Sequence, residues 1–238
     1  MKNKREIFIA IGYTTIMAIA MAVAYHIFGY KYTDSELKNV LIYFEAIMTC
    51  YAVFLYLKFY KGKAFKKMAV TPWFLIYSSI LAVILALFVL QNGYPQNASI
   101  FITTFITTIF IAVSEEIVYR GIVLQGFLEN NSKFKAIICS AILFSLLHFV
   151  NIFAGFNITS VILQLLNTFV HGVAIGCLMV LTANIIPFII FHFVWDFIML
   201  SSSAFVQHNA WIIFIMLITD IIFEVVLLKL SLNKKKEL

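Results

Sequence analysis

Six residues between positions 115 and 196 combine types and spacings suited to activating water. The stretch Ser114-Glu115-Glu116-Ile117-Val118-Tyr119-Arg120 places Glu116 and Arg120 four apart, on one helix face, where they can pair. Glu115 lies about 100° round from Glu116 and is not neutralised by the same bond. Phe144 and His148 are also four apart, as are His192 and Asp196. Asp196 can therefore accept a proton from a His192 ring nitrogen and fix its tautomer. A carboxylate beside a neutral imidazole can bind and deprotonate a water. Donors on a third helix could hold the oxyanion that forms when that water attacks an amide.

The elements that must position these groups are membrane helices. The chain of 238 residues is 63% hydrophobic and only 12% charged, with a mean hydropathy of +1.00. Soluble domains are about half apolar and about a quarter charged. The apolar residues run in blocks of about 20, the length a spanning helix needs, without the alternation of a barrel strand. The expected fold is an all-α integral membrane bundle of about eight transmembrane helices, one polytopic domain over residues 1–238, with its motif-bearing core at about 99–203. The spans are placed at about 7–28, 39–57, 72–90, 99–120, 136–153, 160–182, 185–203 and 211–230. The fourth can continue to about Leu128, where Asn130 and Asn131 end it. Ala183 to Pro187 is either a tight turn between two spans or a kink within one.

Charge sets the orientation. Of 17 Lys and Arg, fourteen fall in Lys2–Arg5, Lys58–Lys67, Lys133–Lys135 and Lys229–Lys236, while Lys31 and Lys38 fall on the other side. Because cytoplasmic loops carry the basic residues, both termini are expected in the cytoplasm. The net charge of +6 is thus an orientation signal, and nucleic acid is not an expected partner. The first span, with Ala22-Val23-Ala24 resembling a cleavage site, continues through Phe28 and reads as a retained helix. Cys50, Cys139 and Cys177 lie within apolar blocks at no metal or redox spacing and read as packing residues.

An ionisable side chain inside a span signals function by default, although bundles also use such groups as interhelical glue. Glu45 sits mid-span without a local partner and is read as non-catalytic. Asp220 and Glu224 are four apart and could cap a polar cavity or contact Lys229. His171, next to Gly172 and Gly176, reads as interhelical glue, and His26 and His208 as interfacial. Trp73, Trp195 and Trp211 read as belt or packing residues. A proton-coupled transporter would also scatter Glu, Asp and His through its spans, but would usually carry an inverted repeat, and none is found.

Glu115-Glu116-x-x-x-Arg120, Phe144-x-x-x-His148 and His192-x-x-x-Asp196, in that order on separate spans, resemble the three motifs of the CAAX-protease and bacteriocin-processing family (CPBP, also called Abi). They cover about a third of the chain. The resemblance implies an intramembrane endopeptidase of the glutamic type. It implies Glu115 as general base with His148 sharing the water, Glu116 and Arg120 orienting the site, and His192 with Asp196 stabilising the oxyanion or positioning the water. The family accepts Asn or Asp at the last position. No Ser or Cys is placed as a nucleophile, so no acyl-enzyme is expected. No cofactor is expected either, with a zinc-dependent version of the protease as the alternative chemistry: two Glu and two His could ligate zinc, although the helical zinc signature HExxH is missing. The expected partners are the lipid bilayer and a membrane protein or peptide substrate, the site lying in a cavity open to lipid or cytosol. Composition points to a bacterial cell membrane. The competing reading is a non-catalytic immunity or scaffolding protein on the same fold.

Overall fold

The computed structural model describes residues 3–92, 97–201 and 211–233, and among them the chain is helical almost throughout. The helices are α1 (Lys4–His26), α2 (Leu37–Phe59), α3 (Pro72–Asn92), α4 (Ala98–Asn130), α5 (Lys133–Ala154), α6 (Ile158–Thr182), α7 (Ile186–Ser201) and α8 (Trp211–Asn233). Each of the eight apolar blocks falls on one of them. Among the described residues α1, α2, α4, α5 and α6 are long and apolar enough to cross a bilayer, whereas the described apolar parts of α3 and α7 are shorter. Large apolar side chains such as Ile11, Phe54, Leu163, Ile190 and Val225 point outward, as they do where the surrounding solvent is lipid.

Local sequence explains where the helices begin and end. Asn97, Ser132 and Asn157 cap α4, α5 and α6, their side-chain oxygens accepting from the backbone N–H groups of Ile100, Lys135 and Thr159. Helix α4 runs to Asn130, so the longer of the two expected lengths for this span is the observed one. Immediately after the twin glutamates, Ile117–Leu124 winds as a π-helix, a local widening often found at functional sites. The last part of α5, His148–Ala154, tightens into a 3₁₀ turn and stops at Gly155, whose φ of 72° suits glycine. Between α6 and α7 the chain makes a tight turn: Ala183 adopts φ 58°, and Asn184 accepts from the Ile186 N–H at 2.9 Å while donating to the Lys66 carbonyl at 2.7 Å. Pro187 lies in the first turn of α7, so it bounds that helix without kinking a longer one.

In the packing, α2 lies on α4, α4 on α7, α5 on α6, and α6 on α8. Small residues set the α5–α6 distance. A Cβ on Gly172 would sit 3.2 Å from the Ala141 backbone, and one on Gly176 would sit 3.3 Å from Ile137. Cys177 is buried, Cys139 is half-buried and Cys50 is exposed.

The two ends of the bundle differ in charge. At one end Asn3 donates to the Gly126 carbonyl at 2.8 Å, Arg5 bonds Tyr60, Tyr60 bonds Glu6, and Lys63 pairs with Glu129. The basic stretch Lys58–Lys67 belongs to this end. At the other end Tyr32 donates its backbone N–H to the Ala154 carbonyl and accepts from Gln164 at 3.1 Å. Desolvation pushes the Tyr32 hydroxyl up to about 12, so it stays neutral there. Lys2, His208, Lys234–Lys236 and Glu237 lie outside the described residues, as do the side chains of Trp211 and Asp220.

Candidate active site

The polar residues of α4 and α7 form one connected, buried group. Glu115 and Glu116 are 4% and 2% exposed, and Arg120 1%. Arg120 donates to Glu116 Oε1 at 2.9 Å, using the four-residue spacing within α4. The same Oε1 lies 3.0 Å from His192 Nδ1, so Glu116 joins its own helix to α7. On the other side of the ring, His192 Nε2 faces Asp196 Oδ2 at 3.2 Å and Glu115 Oε2 at 3.8 Å. A neutral imidazole has one N–H. Hydrogen bonds at both ring nitrogens therefore need one further proton, on the ring or on a carboxyl group. With both nitrogens engaged, His192 can serve an oxyanion only by opening one of these contacts.

Phe144 is the platform on which the three helices meet. The Arg120 guanidinium stands 4.1 Å above its ring centroid, a cation–π contact that a desolvated site strengthens. Its ring also makes edge contacts with Tyr119, His148 and His192, at centroid distances of 5.3, 5.3 and 6.1 Å. Its carbonyl lies 3.2 Å from His148 Nδ1. A carbonyl can only accept, so Nδ1 carries the proton in this bond and His148 Nε2 keeps its lone pair. Behind the twin glutamates, Ser114 is held by the Tyr13 hydroxyl of α1 at 2.7 Å.

These residues flank a cavity of about 470 Å³ lined by Glu115, His148 and Asp196 together with Glu45, Trp195 and Lys38. That volume is typical of small-molecule and peptide side-chain sites. Tyr32, Asn151 and Phe156 also line it, so it extends toward the end of the bundle away from Lys58–Lys67. Five sequence-predicted residues are thus tied by direct contacts between α4 and α7, and His148 joins them across Phe144 and the cavity. Trp195, expected in a belt or in packing, lines the cavity instead. Glu45 is fully buried in the same cavity. Its position mid-span was visible in the sequence; the neighbours that give it a cavity come from α1, α4 and α6, and nothing local announces them. Among the described residues, no group of three or more His, Cys, Asp or Glu side chains is gathered closely enough to hold a metal ion.

Compared with known families, residues 95–198 match the model described as Type II CAAX prenyl endopeptidase Rce1-like, a segment that contains all six site residues. No curated protein and no solved structure matches the chain.

Proposed function

Since residues 95–198 belong to the Rce1-like group of CAAX prenyl endopeptidases, which is the CPBP family, and the chain is a multi-pass helical membrane protein, we propose that it hydrolyses a peptide bond of a membrane-associated protein or peptide with a water activated by Glu115 and His148. The observation that carries this reading is that these two side chains, from α4 and α5, face one cavity. A water there can give a proton to the Glu115 carboxylate while hydrogen-bonding His148 Nε2, the nitrogen left free by the bond to the Phe144 carbonyl. The resulting hydroxide attacks the carbonyl carbon. As the C–N bond breaks, the proton taken by Glu115 passes to the leaving amine.

Glu116 and Arg120 act as positioning residues. Their ion pair and the Glu116–His192 contact fix the α4 backbone against α7, which sets where Glu115 points. Asp196 holds the far side of the His192 ring. On the orientation expected from charge asymmetry, the Tyr32 end of the cavity lies toward the exterior rather than toward the cytosol as expected from the sequence, and substrate enters from the outer leaflet or the exterior.

The test is cleavage of a membrane-tethered peptide library by the purified parent and by its Glu115→Ala and His148→Ala variants, with and without a chelator. Cleavage by the parent that is lost in both folded variants supports the reading. Folded variants that cleave like the parent overturn it.

A further inference from the structure

Among the described residues, Glu45 is the one acidic residue lining the cavity that the hydrolytic reading leaves unused. It is fully buried on α2, it lines the cavity, and neither carboxylate oxygen has a hydrogen-bond partner. The other cavity carboxylates are engaged differently, since Asp196 and Glu115 both face His192. A buried carboxylate without a partner is destabilising by several kcal/mol on order-of-magnitude grounds unless something compensates it. Such a group is compensated by a proton or by a cation that arrives from outside the chain.

The walls near Glu45 say what that partner carries. Met17 and Met21 from α1, Leu41 one turn earlier on α2, and Thr107 and Ile111 from α4 give the cavity a mainly apolar wall around this one acidic group. An apolar wall with a carboxyl group set into it suits a side chain with an aliphatic stem and a cationic head, the form shared by lysine and arginine. Methionines, with flexible unbranched chains, adapt to such a stem. Among the described residues that line the cavity, Glu115 and Asp196 face His192, whereas the lining cation Lys38 is only half-buried and sits two turns from Glu45 on α2.

We propose that Glu45 is the floor of a specificity subsite that receives a lysine or arginine side chain of the peptide substrate. The inference rests on the proposed peptidase reading for the identity of the ligand as a peptide. The subsite itself is a property of the cavity and can be measured without cleavage. A basic side chain anchored at Glu45 would leave the peptide backbone near Glu115 and His148, which share the cavity.

The experiment measures binding of membrane-tethered fluorescent peptides to the full chain in lipid nanodiscs, in a Glu115→Gln background that suppresses turnover. The peptides carry lysine, norleucine or acetyl-lysine at each position in turn, with acetylated amino termini so that no other ammonium competes. At one position lysine is expected to bind at least about tenfold more tightly than norleucine and acetyl-lysine, the lower range for a charge-assisted hydrogen bond. Glu45→Gln should reduce that ratio to about one, and Glu45→Asp should keep part of it. If the Gln variant fails to fold, the Asp variant and the comparison of lysine with acetyl-lysine on the background protein carry the test. Absence of a lysine preference at every position, including no binding at all, overturns the proposal, as does a preference that survives Glu45→Gln. Cleavage by the protein with Glu115 intact is scored separately. A lysine preference without cleavage leaves the subsite standing and removes the peptidase reading, whereas cleavage without a preference does the reverse.

Discussion

Replacing Arg120 by methionine should be among the most damaging single substitutions in the molecule. The side chain is 1% exposed, its partner Glu116 2%, and their contact is 2.9 Å. Removing one member of a buried pair leaves the other charge uncompensated, at about 3–5 kcal/mol. Loss of the guanidinium above Phe144, at 4.1 Å, adds about 1–2 kcal/mol for a desolvated cation–π contact. Methionine restores most of the volume, so little of the loss is a cavity effect. The expected cost is therefore about 4–7 kcal/mol. The double variant Arg120→Met with Glu116→Gln removes both charges and leaves an amide oxygen to accept from His192, so it should recover more than half of that loss. Thermal unfolding in detergent, read by unmasking of the buried Cys177 thiol in a background lacking Cys50 and Cys139, supplies the four corners of the double-mutant cycle. Additive costs, or an Arg120→Met cost below about 1 kcal/mol, would refute the claim that the pair is a desolvated unit.

Three further outcomes are expected. In a cysteine-free background, Lys31→Cys should react with an impermeant maleimide on intact cells and Lys61→Cys only after permeabilisation; the reverse pattern would invert the orientation. Gly126→Ala should cost about 1–3 kcal/mol, because its Cβ would overlap Glu6 Cγ and stand 2.6 Å from the Tyr60 hydroxyl, and melting of the purified variant measures this directly. Asp196→Asn keeps an acceptor for the His192 N–H at the 3.2 Å contact and should retain at least about tenfold more activity than Asp196→Ala, the lower range for a hydrogen bond to a charged group. Equal activities would show that Asp196 does not hold the ring.

How much was legible in the sequence depended on the range of the contact. Pairs four apart within a helix, Glu116 with Arg120 and His192 with Asp196, follow from helical pitch and are met at 2.9 and 3.2 Å. The end of α4 was signalled by Asn130 and Asn131, whereas the capping roles of Asn97 and Asn157 emerged only with the fold. What sequence spacing could not supply was the relation between helices. Nothing local says that Glu116 reaches His192, 76 positions away, or that Phe144 is shared by Arg120, His148 and His192. For the same reason Glu45 read as an isolated carboxylate, and Trp195 as a belt or packing residue, until α1, α2, α4, α6 and α7 closed round a common space. The π-helical stretch had no compositional sign at all.

That stretch has a consequence for how one long helix meets two sets of neighbours. A π-turn takes about one more residue per turn than an α-turn, and each residue of an α-helix advances the phase by about 100°. The segment Ile117–Leu124 therefore offsets the angular setting of everything after it from everything before it. Upstream, Glu115 and Glu116 are aimed at the cavity and at α7. Downstream, Gly126 faces Glu6 and Tyr60, and Asn131 reaches Asn3. An uninterrupted α-helix would couple these two alignments, so that turning one face to its partners turned the other away. The widened segment acts as a phase coupler, letting the carboxylate half and the anchoring half of the same rod be dialled independently.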